Sequence, residues 1–481
     1  MKTAIDCRLG MGSFNTSLRL LTCGLASLGL VLRAAVAAEV STGDETFKLR
    51  EVSAFEHGQE GLLRGQSGEC EDKPFAQVKT YPSFASKKPI YGSIHFYEDR
   101  RQPKSARIVY YAVDESQGTG KGYDRLYFDS NGDLDLRNDP VVQAQRHPPD
   151  RARLNYSGIK TQVIFDCLAV NFDFGPGGMR PVQLMPRLMI SVYEKEEYKQ
   201  MTFVRAQLCM GDIRMGGEAY EARLGNAYTI NGRLDNPGTV LILTPKNHAG
   251  SEVRWWGADS LMAAHKVNDH FYTFSASPTG DQLTVHPYRG DLGTFEIGPG
   301  GRTLDKMTVA GSLEGEERAV AVGGDVVDGS PKAARSCQLP VGDYRPNYIS
   351  IEYGRLSIAA SHNYHSDGKP RDRGDRAAVY GITIRKDKPF ALDFSNKPEV
   401  MFASPAKDQR VKLGESLEVK AVLIDPKLDM MIRGLDDTTR KRNKGPDGQP
   451  LGYERNLSLD PQVIITRTNG EKVAEGVMPF G

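Results

Sequence analysis

The stretch IYGSIHFYEDRRQPKSARIVYYAV, residues 90–113, contains two runs in which β-branched and aromatic residues are concentrated. These runs are Ile90–Tyr97 and Ala106–Val113. Side chains of this kind favour strands, because they pack well on a pleated surface. The sequence therefore predicts two β-strands here, and the same pattern recurs along most of the chain.

The further strand patterns lie between short turns, in keeping with 50 glycines and 27 prolines. They are Thr161–Phe174, Val182–Tyr193, Thr202–Met210, Tyr228–Gly232, Thr239–Leu243, Phe271–Ser275, Gln282–Pro287, Gly293–Ile297, Met307–Ala310, Val379–Arg385, Val400–Ala403, Leu417–Ile424 and Gln462–Thr466. A Pro/Gly turn between the strands at Phe271 and Gln282 predicts a hairpin. The best helical pattern is one short turn from Ser260 through Ala264. The predicted fold class is all-β, with several β-sandwich-like domains in series.

The first 38 residues have the pattern of a secretory signal peptide. Basic residues up to Arg19 precede the apolar run Leu20–Leu32, and Ala35–Ala38 supplies small residues for cleavage. This run is shorter than the roughly 20 residues that span a bilayer, and no later stretch predicts a transmembrane segment. Cys23 leaves a lipid-anchored form as an alternative. We expect the mature protein to be secreted, periplasmic or on the cell surface.

The charge and the cysteine content indicate which partners and which disulfides to expect. The 62 basic and 61 acidic residues give a formal net charge of +1, so no overall field attracts nucleic acid. Outside the signal segment the cysteines are Cys70, Cys167, Cys209 and Cys337, with no CxxC pair. An oxidising compartment favours at least one disulfide among them.

Strand spacing and turns suggest six segments. They are the signal peptide (1–38), an irregular N-terminal lead-in (39–86), a β domain with an acidic loop (87–250), a β-hairpin-rich domain (251–336), a prealbumin-like β segment (337–396) and an immunoglobulin-like sandwich (397–481). The phrase LPVGDYRPNYISIEYG from Leu339 resembles a strand entry of prealbumin-like domains. The strands after Pro398 resemble an immunoglobulin-like sandwich. The basic run Thr439–Lys444 within this last segment is predicted to be a solvated loop.

An acidic stretch, YDRLYFDSNGDLDLRNDP at residues 123–140, predicts a calcium site. Crowded carboxylates repel unless they are splayed into water or share a cation. Calcium takes six to eight oxygens from carboxylates, amides and carbonyls. The candidate ligands lie at alternate positions and at the end of the loop: Asp129, Asn131, Asp133, Asp135 and Asp139.

This spacing resembles the calcium loops of EF-hand, dockerin and thrombospondin type 3 repeats. By that resemblance Asp129, Asn131 and Asp133 fill the first, third and fifth positions, and Asp135 the seventh. Two residues depart from the pattern. Leu134 stands where those loops have glycine, and Pro140 stands at the twelfth position, so Asp139 would close the calcium shell.

A two-residue hairpin turn at Asn131-Gly132 is the alternative structure for this stretch. Its register would pair Leu134 with Asp129 and Asp135 with Phe128, which mixes acids and apolar residues on each face. A half-buried hairpin sorts them onto opposite faces. The calcium loop is therefore the favoured prediction.

Other candidate sites are less specific. His362 and His365 have HxxH spacing and could hold zinc with a third ligand, although a charged, glycine-rich loop favours solvated histidines. His265 and His270 lack an acidic partner at helical spacing. Trp255–Trp256 could stack on a sugar, but a packing role is favoured. The sequence contains no HExxH, GxSxG or Walker motif.

The sequence thus predicts an exported extracellular or cell-envelope protein with a binding or structural role and a structural calcium site. Its partner would be a protein or a polysaccharide. The phrase FDSNGDLDL, residues 128–136, also resembles one in exported bacterial proteins with several β-domains, a resemblance that implies no activity. The alternative is a secreted hydrolase acting on carbohydrate, whose catalytic carboxylates sequence cannot identify because they are defined by separation in space.

Overall fold

Strands dominate the part of the chain that the structure describes. The computed structural model describes residues 43–58, 60–96, 106–119, 122–154, 158–193, 196–226, 230–246, 260–298, 307–324, 326–327, 330–362, 381–392, 398–404, 409–410, 412, 415–416, 419–425, 428, 430–444, 450–466, 469–478 and 480. Of these residues 62% lie in strands and 4% in helix. The prediction of an all-β fold with several sheets is confirmed.

The first half of the chain supplies fourteen of the described strands. Up to residue 154 the elements are β1 (Glu45–Lys48), β2 (Arg50–Ser53), the one-turn helix α1 (Ala54–His57), a 3-10 turn (Glu60–Leu63), β3 (Gln66–Glu71), β4 (Ile90–Phe96), β5 (Arg107–Asp114), β6 (Arg125–Phe128), β7 (Val142–Gln143) and a 3-10 turn (Asp150–Ala152). Then follow β8 (Ile159–Ile164), β9 (Leu168–Asp173), a 3-10 turn (Gly175–Gly177), β10 (Met179–Tyr193), β11 (Glu196–Arg205), β12 (Gln207–Met215), β13 (Glu218–Asn226) and β14 (Thr239–Pro245).

The second half continues without a described helix. Its strands up to residue 361 are β15 (Ala263–Val267), β16 (His270–Ala276), β17 (Gln282–Pro287), β18 (Leu292–Ile297), β19 (Met307–Gly315), β20 (Ala319–Val322), β21 (Val326–Val327), β22 (Ser330–Pro331), β23 (Ser336–Pro340), β24 (Gly342–Tyr353) and β25 (Leu356–Ser361). The remaining strands are β26 (Ile382–Ile384), β27 (Phe390–Leu392), β28 (Glu399–Ser404), β29 (Lys420–Asp425), β30 (Met430–Lys444), β31 (Pro450–Ser458), β32 (Gln462–Thr466) and β33 (Lys472–Val477).

A nine-stranded sheet that closes on itself carries the acidic loop. Its order is β7-β6-β5-β4-β3-β11-β10-β8, with β9 also paired to β10. The two end strands meet, because Gln145 N donates to Ile164 O and Asp166 N to Gln143 O, both at 2.8 Å. These hydrogen bonds pair backbone N–H and C=O groups that would otherwise lie at two exposed sheet edges.

Aromatic residues fill the inside of this closed sheet. The rings of Phe128 on β6 and Phe203 on β11 are 5.6 Å apart between centroids. These strands are four places apart in the sheet, roughly 19 Å in a flat sheet at about 4.8 Å per strand. Tyr111 packs on Phe203 as well, at 5.6 Å. The curvature brings β6 to face β11 across one buried core.

Two further sheets pack against each other. A four-stranded sheet, β14-β13-β12-β2, and a 13-stranded sheet, β1-β17-β16-β15-β20-β19-β24-β25-β30-β29-β28 with β26 and β31 attached, are found within the described residues. Buried residues of both form one cluster, including Leu224, Leu241, Phe274 and Leu283. Smaller sheets join β23-β18-β27, β21-β22 and β32-β33.

The N-terminal lead-in, predicted to be irregular over residues 39–86, contains three strands, whereas residues 72–89 lie outside the strands and helices. β1 pairs with β17, β2 with β12, and β3 with both β4 and β11. Each of these strands therefore joins a different sheet. Their partners are distant in sequence, so the polar local composition gave no indication of pairing.

Two local predictions are also wrong. Ser260–Ala264 is a turn followed by β15, not a helix, because Ala263 and Ala264 pair in parallel with Ala319 and Val320 of β20. The basic run Thr439–Lys444 belongs to β30 rather than to a solvated loop. A strand partner remote in sequence decides the first conformation, whereas the neighbouring strand β31 pairs with the basic run.

Pro186 does not break its strand. β10 continues from Met179 to Tyr193, and Pro186 lies where the neighbour on one side changes from β9 to β8. Its carbonyl accepts a hydrogen bond from Phe165 N on that side. The N–H that proline lacks would point to the same side, toward Phe165 O, and this carbonyl instead accepts from Gln145 Nε2 at 3.0 Å.

The last segment shares a sheet with the segment before it. β30 pairs with β25 from Leu356↔Asp437 to Ser361↔Met431, and residues Glu39–Gly481 form one compact unit. β32 and β33 form a hairpin, with Asn469-Gly470 between them. The prealbumin-like and immunoglobulin-like assignments stay predictions, as do the finer domain boundaries.

Candidate functional site

The acidic loop leaves the closed sheet at the end of β6. Asp129 N still donates to Tyr110 O of β5 at 3.0 Å, which continues the ladder by one residue. The chain then passes through residues 130–140 before it enters β7. Leu134 and Leu136 bind back to the segment before β4, since Lys79 N donates to Leu134 O (2.9 Å) and Leu136 N to Thr80 O (3.1 Å).

These pairings exclude the hairpin alternative. Residues 133–136 do not fold back on β6, whose neighbours are β5 and β7. Instead Asp135 forms a parallel bridge with Thr80. Leu136 is fully buried beneath aromatic residues of the same cluster, among them Tyr110 and Tyr127. The two leucines thus anchor the loop.

Successive side-chain oxygens in the loop accept backbone N–H groups that follow them. Asp129 Oδ1 accepts from Gly132 N at 2.9 Å, Asn131 Oδ1 from Asp133 N at 2.8 Å, and Asp133 Oδ1 from Asp135 N at 2.8 Å. Asx turns of this kind hold a chain in a tight curl. The alternate spacing predicted for calcium ligands therefore also builds the curl itself.

Leu134 adopts the backbone conformation that calcium loops reserve for glycine. Its φ is +68°, and that of Gly132 is +76°. A leucine rarely adopts the left-handed region, which costs roughly 1–2 kcal/mol per residue. Packing of its side chain against the aromatic cluster and the two hydrogen bonds to its carbonyl hold it there. The sequence departs from the calcium-loop pattern in residue type here, but not in backbone conformation.

Asp129 and Asp139 are the buried acids of the loop, with 1% and 7% of their surface exposed. Asp139 Oδ1 accepts from Ser130 N (3.0 Å) and Ser130 Oγ (2.6 Å). Its Oδ2 is buried and has no hydrogen-bond partner among the described residues. Burial raises the pKa of Asp129 above its ordinary value, and the charge of Asp139 raises it further, against the lowering effect of Gly132 N–H.

Asp133 and Asp135 lie in a different environment. Asp133 Oδ2 accepts from Asn138 Nδ2 (2.7 Å) and Asn131 Nδ2 (3.0 Å), and these amides hold the pKa of Asp133 below its usual value. Arg137 donates hydrogen bonds to both carboxylate oxygens of Asp135, from Nε to Oδ1 at 2.9 Å and from Nη2 to Oδ2 at 2.7 Å. Hydrogen bonding to Arg137 lowers the pKa of Asp135 to about 2. Both carboxylate oxygens of Asp135 are thus already bound by Arg137.

The five predicted ligands therefore do not meet as one cluster. Among the described residues no three Asp, Glu, His or Cys side chains come together as a metal-binding group. A calcium ion in this loop would draw on Asp129, Asp133, Asp139, the Asn131 amide and backbone carbonyls, which are the oxygen types calcium takes. The buried, unpaired Asp139 Oδ2 is the atom that fits such an ion best.

Sequence reasoning missed three partners of the loop. Ser130 and Asn138 each fix an acid, and Lys79 Nζ donates to the carbonyl of Asp133 at 2.8 Å. Ser130 and Asn138 lie within the acidic stretch and could have been identified as donors. Lys79 is remote in sequence, and no local pattern indicates it.

The remaining candidates give no second site in the described part of the chain. His365 and Trp255–Trp256 lie outside the described residues. The ring of His362 contacts Pro346 O, and its Nε2 is 4.0 Å from Glu314. His265 is buried against Phe274, and burial lowers its pKa to about 4, as expected for a neutral core histidine. His270 is exposed.

The predicted disulfide is wrong: Cys70, Cys167, Cys209 and Cys337 are all free. Cys209 lies on β12 of the four-stranded sheet and Cys337 on β23 of a three-stranded sheet, whereas Cys70 is on β3. Burial raises the pKa of Cys209 to about 11, so this thiol is unreactive at neutral pH.

Comparisons of this chain with protein-family models, curated proteins and solved structures give no match. In the described part of the chain, no helix has the length and apolar character needed to cross a membrane. Fold and site together define an all-β chain with an acidic loop that buries the carboxylates of Asp129 and Asp139.

Proposed function

We propose that this protein is an exported extracellular or cell-envelope component with a binding or structural role, stabilised by calcium in the loop after β6. The observation that carries the proposal is Asp139 Oδ2, a buried oxygen with no hydrogen-bond partner among the described residues, in a loop that also buries Asp129. Two buried carboxylates repel when both are ionised. A divalent cation removes that repulsion and supplies the missing partner.

The role of the ion is structural in this proposal. The acids that would hold it belong to a loop fastened to the aromatic cluster by Leu134 and Leu136. A calcium ion whose ligands are all protein oxygens holds the backbone of the loop in place. The loop also touches the segment before β4 through Lys79 and Thr80, so fixing it stabilises that side of the closed sheet. A secreted, periplasmic or cell-surface location rests on the pattern of residues 1–38, and its partner would be a protein or a polysaccharide.

Thermal unfolding with and without calcium tests the proposal. About 1 mM calcium should raise the melting temperature relative to excess chelator, because an ion that binds only the folded state stabilises it. Asp129→Asn combined with Asp139→Asn should abolish this difference. Asp135→Asn is the matched control, since the seventh residue of such loops binds through its carbonyl and the Asp135 side chain is held by Arg137. Identical melting of wild type under both conditions would contradict the calcium role.

A further inference from the structure

A serine, a histidine and an aspartate are joined by hydrogen bonds at one edge of the 13-stranded sheet. Ser275 Oγ lies 2.7 Å from His286 Nε2, and His286 Nδ1 lies 2.9 Å from Asp44 Oδ2. A nucleophile bonded to a base, with the base bonded to a third group that orients it, is the arrangement that activates serine in hydrolases. We name Ser275, His286 and Asp44 the triad.

Three adjacent strands position the triad. Ser275 lies on β16 and His286 on β17, and Asp44 immediately precedes β1, which pairs with β17. Alternate residues of a strand point to opposite faces. Phe274 and Val285 therefore enter the buried core, while the neighbouring Ser275 and His286 lie on the outer face. The members of the triad are distant in sequence, so no local motif indicates them.

The carboxylate of Asp44 fixes the tautomer of His286. An ionised carboxylate accepts hydrogen bonds and donates none, so the hydrogen of a neutral imidazole lies on Nδ1. Nε2 then has the free electron pair, and the hydroxyl of Ser275 must donate the bond to it. His286 is therefore in position to take the proton of that hydroxyl, as a general base does.

We infer that the triad hydrolyses carboxylic esters with a short acyl group. Ser275 Oγ attacks the ester carbonyl carbon while its proton passes to His286 Nε2, and the departing alcohol oxygen then takes this proton. Water hydrolyses the acyl-serine by the same route, which releases the carboxylic acid and restores the hydroxyl. Asp44 acts through His286 as a positioning residue. This activity goes beyond the proposed function, which assigns binding or structure without turnover.

The exposure of the triad favours short acyl groups. Ser275 is exposed, and the side chains of His286 and Asp44 are 32% and 59% exposed. A long acyl chain gains binding energy from burial of its apolar surface, which an open sheet face provides poorly. An acetyl group has little apolar surface to bury and can reach the serine from solvent.

Thr284 places a second hydroxyl beside the serine. It lies directly opposite Ser275 in the register of β16 and β17, so the two side chains share a face. Thr284 Oγ1 is 2.9 Å from Thr46 Oγ1. With Thr46 as the donor in that bond, the hydroxyl hydrogen of Thr284 is available to the oxyanion that forms as Ser275 attacks.

Hydrolysis of p-nitrophenyl acetate by the full chain tests the inference. We expect saturable turnover, with Ser275→Ala and His286→Gln each lowering kcat by at least about 100-fold. Asp44→Asn should lower kcat by at least about tenfold with little change in KM, and Asp44→Glu should restore part of the loss. The matched control is Ser67→Ala, because Ser67 is an exposed strand serine whose hydroxyl accepts from the amide of Gln200. It should leave kcat unchanged.

Covalent labelling identifies the nucleophile without any variant. A fluorophosphonate bonds to an activated serine oxygen as fluoride leaves, and peptide mass spectrometry should locate the label on Ser275. Because wild type is labelled, this arm holds even where a variant fails to fold. Absence of turnover by wild type, absence of label on Ser275, or an equal loss of kcat in Ser67→Ala would overturn the inference. Hydrolysis that survives Ser275→Ala would also overturn it, because the imidazole would then act without the serine.

Discussion

Asp139 Oδ1 accepts hydrogen bonds from both the backbone N and the Oγ of Ser130, at 3.0 and 2.6 Å. These two hydrogen bonds come from a residue at the start of the loop. They close the loop and hold Asp139 in a buried position. The second oxygen of Asp139 is left without a partner among the described residues. The pair thus explains both why the loop is compact and why it should bind a cation.

The pH dependence of stability without calcium should reveal the buried Asp129. Its pKa is raised in the folded state by burial, so the folded protein binds more protons than the unfolded chain between the ordinary value and the raised value. The contribution of this group to stability therefore falls as pH rises through that window. Asp129→Asn removes the charge and should be stabilising relative to wild type at pH 7 in chelator, but much less so near pH 4.

Chemical denaturation of both proteins at the two pH values measures this difference. Comparing the variant with wild type cancels the opposite contribution of acids with lowered pKa, such as Asp133 and Asp135. A difference that does not change between pH 4 and pH 7 would show that Asp129 is not perturbed.

Arg187 should be among the most costly residues to replace. It is 1% exposed and donates to Ala152 O (3.0 Å), Arg64 O (3.1 Å) and Thr202 Oγ1 (3.1 Å). Arg187→Met removes these three hydrogen bonds, including the one to the buried Ala152 O, which should lower the free energy of unfolding by about 2–5 kcal/mol. Lys160→Met removes only an exposed ion pair with Glu197 and should cost about 1 kcal/mol or less. Equal costs in urea denaturation would contradict this account.

Gly92 is required by the ring of Tyr111. A Cβ at residue 92 would lie 2.1 Å from Tyr111 Cζ, and Tyr111 is fully buried in the closed sheet. Gly92→Ala should therefore destabilise the protein by about 1–3 kcal/mol through overpacking. Gly476→Ala is the control, because no atom lies within 4 Å of the added group there. A melting temperature unchanged by Gly92→Ala would mean that the ring can move aside.

The C-terminal segment should not fold independently of the segment before it. β30 continues the 13-stranded sheet by pairing with β25, so separation at Pro398 would expose two edges and break a shared core that includes Met430 and Ile358. We expect a fragment of residues 398–481 to lack a cooperative thermal transition, and a fragment of residues 39–397 to melt well below the full chain. Two cooperatively folded fragments would instead support the separate immunoglobulin-like domain.

Local sequence predicts a strand where its side chains alternate or branch, as in Ile90–Phe96 and in the hairpin of β16 and β17. It does not predict strands whose stability comes from distant partners. β1–β3 are polar, and β15 is a short apolar run that resembles a helical turn. The acidic loop also combines features that local sequence predicts with features that depend on distant residues. Spacing identified Asp129 and Asp139 together, but their burial depends on the closed sheet and on Lys79 and Thr80, which the acidic stretch does not contain.

Isothermal titration of the chelator-treated full chain with calcium measures the central claim most directly. We predict one calcium ion bound per chain, with a dissociation constant between about 10⁻⁵ and 10⁻³ M, no binding by Asp129→Asn/Asp139→Asn, and unchanged binding by Asp135→Asn. At free calcium about 100 times that constant, folding should gain about 2.7 kcal/mol. No heat of binding in wild type, or equal binding by the double variant, would contradict the account.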